Sequence, residues 1–141
     1  MGAVIRKRKI NKGGRMSTVK EIMNADSSGK EMVTFSDAKG KELARDLKRS
    51  QIRNIFAEAR KIESEWGMSS SAAMRSLNML KPKLAYQAKR HKEVEPLRLV
   101  LVEAIDEVGN AKTEGEREQK FQRFMDLFES ILAYHRFHGG N

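Results

Sequence analysis

Apolar side chains recur along this chain at spacings of three and four, the mark of helices that bury one face. Ile52, Ile55, Phe56, Ala59 and Ile62 form one stripe, with Ser50 placed to cap it, Trp66 near its end and Gly67 to stop it. Leu97, Val100, Leu101, Ala104, Ile105 and Val108 form a second, opened by Pro96 and ended by Gly109. A third runs from about Thr113 to His138, with Phe121, Phe124, Met125, Phe128, Ile131 and Leu132 inside and Gly139-Gly140 behind it. Its start, Thr113-Glu114-Gly115-Glu116, has the sequence of a capping box.

The other elements are less sharply marked. A short helix follows Ser17 through Val19, Ile22 and Met23, and residues 24–31 read as a loop containing Ser and Gly. Ser36 or Asp37 then caps a helix carrying Ala38, Leu43, Ala44 and Leu47, which Gly40 weakens. Ser69, Ser70 or Ser71 restarts the chain toward the apolar Met74, Leu77, Met79 and Leu80. Pro82 either opens a new helix at its first position or kinks the one before it, and Leu84, Ala85 and Ala88 continue the buried side. No stretch alternates as a strand does, and no repeat is visible. The pattern predicts an all-α protein, a compact bundle of about five helices. Such helices close on their own chain or exchange one helix with a second copy in a dimer, with Gly67 and the residues 109–115 loop as candidate hinges.

Length and composition refine this picture. The 141 residues suffice for one domain with an ordinary core, expected over residues 17–141. Residues 1–16 lack periodicity, carry Arg6-Lys7-Arg8-Lys9 and read as a flexible basic arm. The chain has no cysteine, which excludes disulfides, thiol nucleophiles and Cys-ligated zinc. No apolar run reaches membrane-spanning length or forms a signal-peptide core, so the expected location is cytoplasmic, with no membrane partner.

Charge changes the picture most. The net charge is +9, yet residues 93–141 hold six basic side chains against ten acidic ones. Between Glu65 and Glu93 stand six basic residues and no acidic one. A surface of that kind needs an external polyanion or bare water, and phosphate is the natural partner. On the helix after Ser50, Arg53, Ala57 and Arg60 share a face, with Arg49 one turn before; on the Pro82 segment Lys83, Gln87 and Arg90 repeat the spacing. Arginine's planar fork grips phosphate oxygens in pairs, while lysine supplies a mobile point charge. The competing reading is an ordinary solvated helix face, with Glu58, Glu63 and Glu65 offsetting the first strip, or with carboxylates of the acidic last third packed beside the second. Tyr86 can stack on a base or sugar, although a tyrosine capping the core is the commoner arrangement.

Catalytic signatures are thin. His135 and His138 stand one turn apart near the last helix end and read as a frayed, solvated pair rather than metal ligands. His91 could shuttle a proton in RNA cleavage, but the sequence offers no second acid or base beside it. No metal, cofactor or catalytic residue is expected. A helical DNA-binding regulator is the alternative function, because the helix pairs around Gly67 or Pro82 could mimic helix-turn-helix spacing.

Two stretches carry a resemblance. Ser50-Gln51-Ile52-Arg53-Asn54-Ile55-Phe56, with Arg60 following, and Leu80-Lys81-Pro82-Lys83-Leu84-Ala85-Tyr86 resemble the best-marked blocks of the Csm-type small subunit of type III-A CRISPR–Cas effector complexes. The stretch from Phe121 to His135 resembles that family's last helix, and the likeness covers about residues 36–138. It implies a non-catalytic subunit of a ribonucleoprotein in antiviral defence. Its partners would be the crRNA and target RNA, the backbone and large subunits, and further copies of itself. Carried over by motif position, Arg53, Arg60, Lys81, Lys83, Tyr86 and Arg90 become candidate RNA contacts, with Lys48 and Arg49 just before the first block. The acidic last third then offers a docking face for a basic neighbour through Glu103, Glu107 and Glu118.

Overall fold

Six α-helices and one 3-10 turn make up the computed structural model, which describes residues 17–141. The basic arm expected over residues 1–16 lies outside the described residues. In chain order the helices are α1 (Thr18–Asn24), α2 (Lys30–Leu43), α3 (Arg49–Trp66), α4 (Ser70–Arg90), α5 (Glu95–Gly109) and α6 (Glu114–Phe137), with the turn at Lys92–Val94 between α4 and α5. No strand occurs among the described residues, so the all-α reading stands.

The aromatic stripe makes α6 the hub, with α1, α2, α3 and α5 all packed against it. Phe121, Phe124 and Phe128 are fully buried. Trp66 lies flat on Phe121 with ring centroids 4.3 Å apart, and Phe56 meets Phe128 edge-on at 5.1 Å. Both geometries suit aromatic quadrupoles, and they clamp α3 to α6. Polar contacts dock the short α1. The Ser17 hydroxyl bonds the Glu103 carboxylate, and the Asn24 amide donates to Glu107 at 2.9 Å. The Arg123 guanidinium donates to the Ile22 carbonyl at 2.8 Å, which satisfies an end-of-helix acceptor.

Two local readings are corrected and one is narrowed. Helix α2 begins at Lys30, upstream of Ser36, because the Asp26 carboxylate accepts from the Glu31 and Met32 backbone N–H groups at 3.1 and 2.9 Å. Gly29 supplies the left-handed turn (φ 81°) that lets this cap form, and Ser36 is buried inside the helix. Pro82 neither starts nor ends a helix, since α4 runs through it from Ser70 to Arg90. Pro82 and Asn78 both face outward, so water can reach the carbonyl that loses its donor. Met79, read with the apolar residues of this helix, is half exposed.

Gly40, which weakened the sequence case for α2, is buried where this helix crosses α6. The absence of a side chain there lets the two backbones approach.

Candidate nucleic-acid interface

Leu77, Leu80, Leu84 and Ala88 form the buried stripe of α4, and each basic residue leaves that stripe at an angle set by its position. Lys81 turns toward α5, where its Nζ lies 2.6 Å from Asp106 Oδ1. Lys83 turns the other way, toward α3, with Nζ 3.5 Å from Glu58 Oε1. Two lysines from one sequence block therefore part to opposite flanks, and each meets a carboxylate remote in sequence. The expectation of a wholly unquenched Pro82 face is corrected at both. Exposed pairs of this kind contribute about 0–1 kcal/mol, so a stronger anion can displace them.

Beyond Tyr86 the situation reverses. Among the described residues no carboxylate stands within ion-pairing distance of Lys89, Arg90 or Lys92. Tyr86 does not cap the core: it is 64% exposed, and the Arg90 guanidinium sits over its ring at 5.7 Å. Lys89 and Lys92 were not among the candidate RNA contacts, although they belong to the same carboxylate-free run.

Helices α3 and α4 run antiparallel, as the pairs Glu58–Lys83 and Gln51–Glu93 require. This brings Lys48, at the start of α3, to the end of α4. Gln51 donates to Glu93 at 2.9 Å, and that hydrogen bond, with smaller help from the Glu93 backbone, His91 and Lys48, holds the Glu93 carboxyl below its ordinary range. On the side toward α2, Lys92 shares a groove with Glu42, Arg45, Asp46 and Glu93, so the cationic excess narrows there. The open cationic surface is the outer side of Tyr86, Lys89 and Arg90, with Lys48 nearby. An antiparallel hairpin and an uninterrupted α4 do not make the open crossing of a helix-turn-helix, about 90–120°.

The arginines of α3 lie on its other flank, toward α6, where Phe56 meets Phe128. Arg49 is half buried; its backbone N–H donates to the Asn141 carbonyl at 2.5 Å, and its guanidinium lies 3.3 Å from the Gly140 carbonyl. Arg60 bonds Glu63 at 2.8 Å and covers Phe56 at 5.0 Å. The Glu63 hydrogen bond, followed by Coulombic pull from Glu63 and Glu129, raises its pKa further. Arg53 is exposed with no carboxylate partner among the described residues. The eight expected contacts thus do not share one face: Lys48, Lys83, Tyr86 and Arg90 belong to the α3–α4 side, Arg49, Arg53 and Arg60 to the α6 side, and Lys81 to the α5 side.

The acidic last third is largely spent inside the molecule. Glu107 is buried against Asn24 and 3.7 Å from Lys20, while Glu103 holds Ser17, so neither is the free docking carboxylate expected of it. Glu95 and Glu114 pair with Arg98 and Arg117 one turn on. Glu118 remains exposed.

Burial, then Glu129 and Glu63, raise the Asp126 carboxyl above its usual range against a smaller opposing effect of Arg123. The unfolded chain therefore gives up this proton at lower pH than the fold does, and stability falls as pH rises between the two pKa values. Asp126→Asn is expected to raise Tm at pH 7, with the gain vanishing below the ordinary carboxylate range. An identical Tm difference at both pH values would contradict the assignment.

The two terminal histidines are also corrected. His135 is fully buried, and its Nε2–H donates to the Leu47 carbonyl at 2.7 Å, tying α6 to the α2–α3 connection. His138 Nε2 lies 2.6 Å from Asp37 Oδ1. They latch α6 to its neighbours rather than fraying into solvent. Among the described residues no group of three or more His, Asp or Glu side chains is placed to hold a metal ion, and no helix is long and apolar enough to cross a membrane.

Comparison with known proteins adds one finding: the family model of Csm2 Type III-A matches residues 26–141. No curated protein and no solved structure matches the chain.

Proposed function

Since the chain belongs to the Csm2 Type III-A family, the small subunit of type III-A Csm complexes, we propose that it serves there as a non-catalytic grip on the RNA backbone. Its ligand is the crRNA and target RNA strand pair, and its task belongs to antiviral interference. The observation that carries this reading is the divided charge of α4: Lys81 and Lys83 are occupied by carboxylates, while Lys89 and Arg90 stand open on the outer surface. Such a surface reads phosphates and not base edges, so it binds with little sequence preference. A few contacts bind weakly alone, and linked copies in one particle raise the effective concentration of each. Lys48 extends the grip at the start of α3. Lys83 joins once a phosphate displaces Glu58, at small cost for so exposed a pair.

Fluorescence anisotropy of the full chain with a labelled single-stranded RNA tests this. With about four phosphate contacts, log affinity should fall against log salt with a slope near −3, at about −0.7 per contact. An affinity unchanged between about 50 and about 200 mM salt would rule the reading out.

A further inference from the structure

Tyr86 presents an aromatic face with 64% of its surface open, on the helix side where the free cations lie. No hydrogen bond engages its hydroxyl among the described residues, and it caps nothing in the core. Arg90, one turn on, lays its guanidinium over the ring at 5.7 Å without a carboxylate partner. Lys83 and Lys89, three residues away on either side, bracket the ring with positive charge.

The Tyr86 hydroxyl can donate one hydrogen bond to a phosphate, but the exposed face of its ring adds nothing to that contact. It does match one chemical group well: the flat face of a nucleobase whose own phosphates lie within reach of lysine. We propose that Tyr86 and Arg90 form a stacking platform for an unpaired base, so that this surface takes a strand with at least one base outside the duplex. The platform rests on the backbone-binding reading above and sharpens its ligand, because a fully paired helix hides base faces that a single strand or an extruded nucleotide offers. Base stacking on an aromatic side chain changes affinity roughly 5- to 150-fold (about 1–3 kcal/mol), with little preference among bases.

The test uses the full chain and two labelled strands of equal length, one an oligoribonucleotide and one with every base replaced by hydrogen. Wild type should bind the base-bearing strand about tenfold more tightly. Tyr86→Ala should erase that preference while leaving affinity for the baseless strand unchanged, and Tyr86→Phe should retain the preference. A 2-aminopurine in the base-bearing strand should be quenched by wild type and Tyr86→Phe but not by Tyr86→Ala. Equal binding of both strands by wild type overturns the platform and leaves backbone binding intact. Salt-insensitive binding of the baseless strand, or none, overturns the backbone reading itself. An unaltered preference in Tyr86→Ala with unchanged circular dichroism also overturns the platform.

Discussion

Replacing Gly40 by alanine is expected to destabilise the fold by about 3 kcal/mol, the upper end of ordinary overpacking costs. A Cβ at this position would lie 2.5 Å from Tyr134 Cβ and 2.7 Å from the His135 backbone nitrogen. Neither neighbour is the yielding tip of a side chain, so α2 and α6 would have to move apart. That shift also pulls on the His138–Asp37 contact between the same helices and on the His135–Leu47 bond to the segment that follows α2. Alanine's helix propensity returns about 1 kcal/mol, too little to compensate. Gly115, in the first turn of α6, has open space where its Cβ would be, and Gly115→Ala should be neutral or slightly stabilising. Urea unfolding of the two variants decides the matter. A midpoint for Gly40→Ala at or above wild type would contradict the close crossing.

The second large effect concerns binding. The double variant Lys89→Ala, Arg90→Ala removes two open cations that have no carboxylate partner among the described residues, so no buried charge is orphaned and helicity should persist. Losing about two phosphate contacts should flatten the salt slope by about 1.4 and lower affinity at low salt by several tens of fold. The companion variant Lys81→Ala, Lys83→Ala removes groups already paired with Asp106 and Glu58, and should lose less than about tenfold. Equal losses in the two variants would show that the intramolecular pairs leave those lysines as available as their neighbours.

What the sequence revealed depended on how local each cause was. Helices α3, α5 and α6 follow from stripes of apolar residues within one segment, and their buried residues agree closely with those expected. The start of α2 was hidden because its cap comes from Asp26 through a glycine turn, not from a residue at the helix border. The place of Pro82 stayed open between two alternatives because its cost depends on whether the freed carbonyl faces water, which is a property of the assembled bundle. The carboxylate-free run was legible as charge. Its division was not, since Asp106 and Glu58 reach it only through the packing of α5 and α3. His135 shows the same limit: its position near a helix end suggested solvent, while the Leu47 carbonyl that accepts its hydrogen bond lies across the fold.

Ultraviolet crosslinking of the assembled Csm complex to its RNA, read by peptide mass spectrometry, tests the central claim most directly. The adducts should fall on the peptide spanning residues 84–92, with Tyr86 the favoured position and Lys48 next. Adducts confined to α5 and α6, with residues 84–92 unmodified, would contradict it.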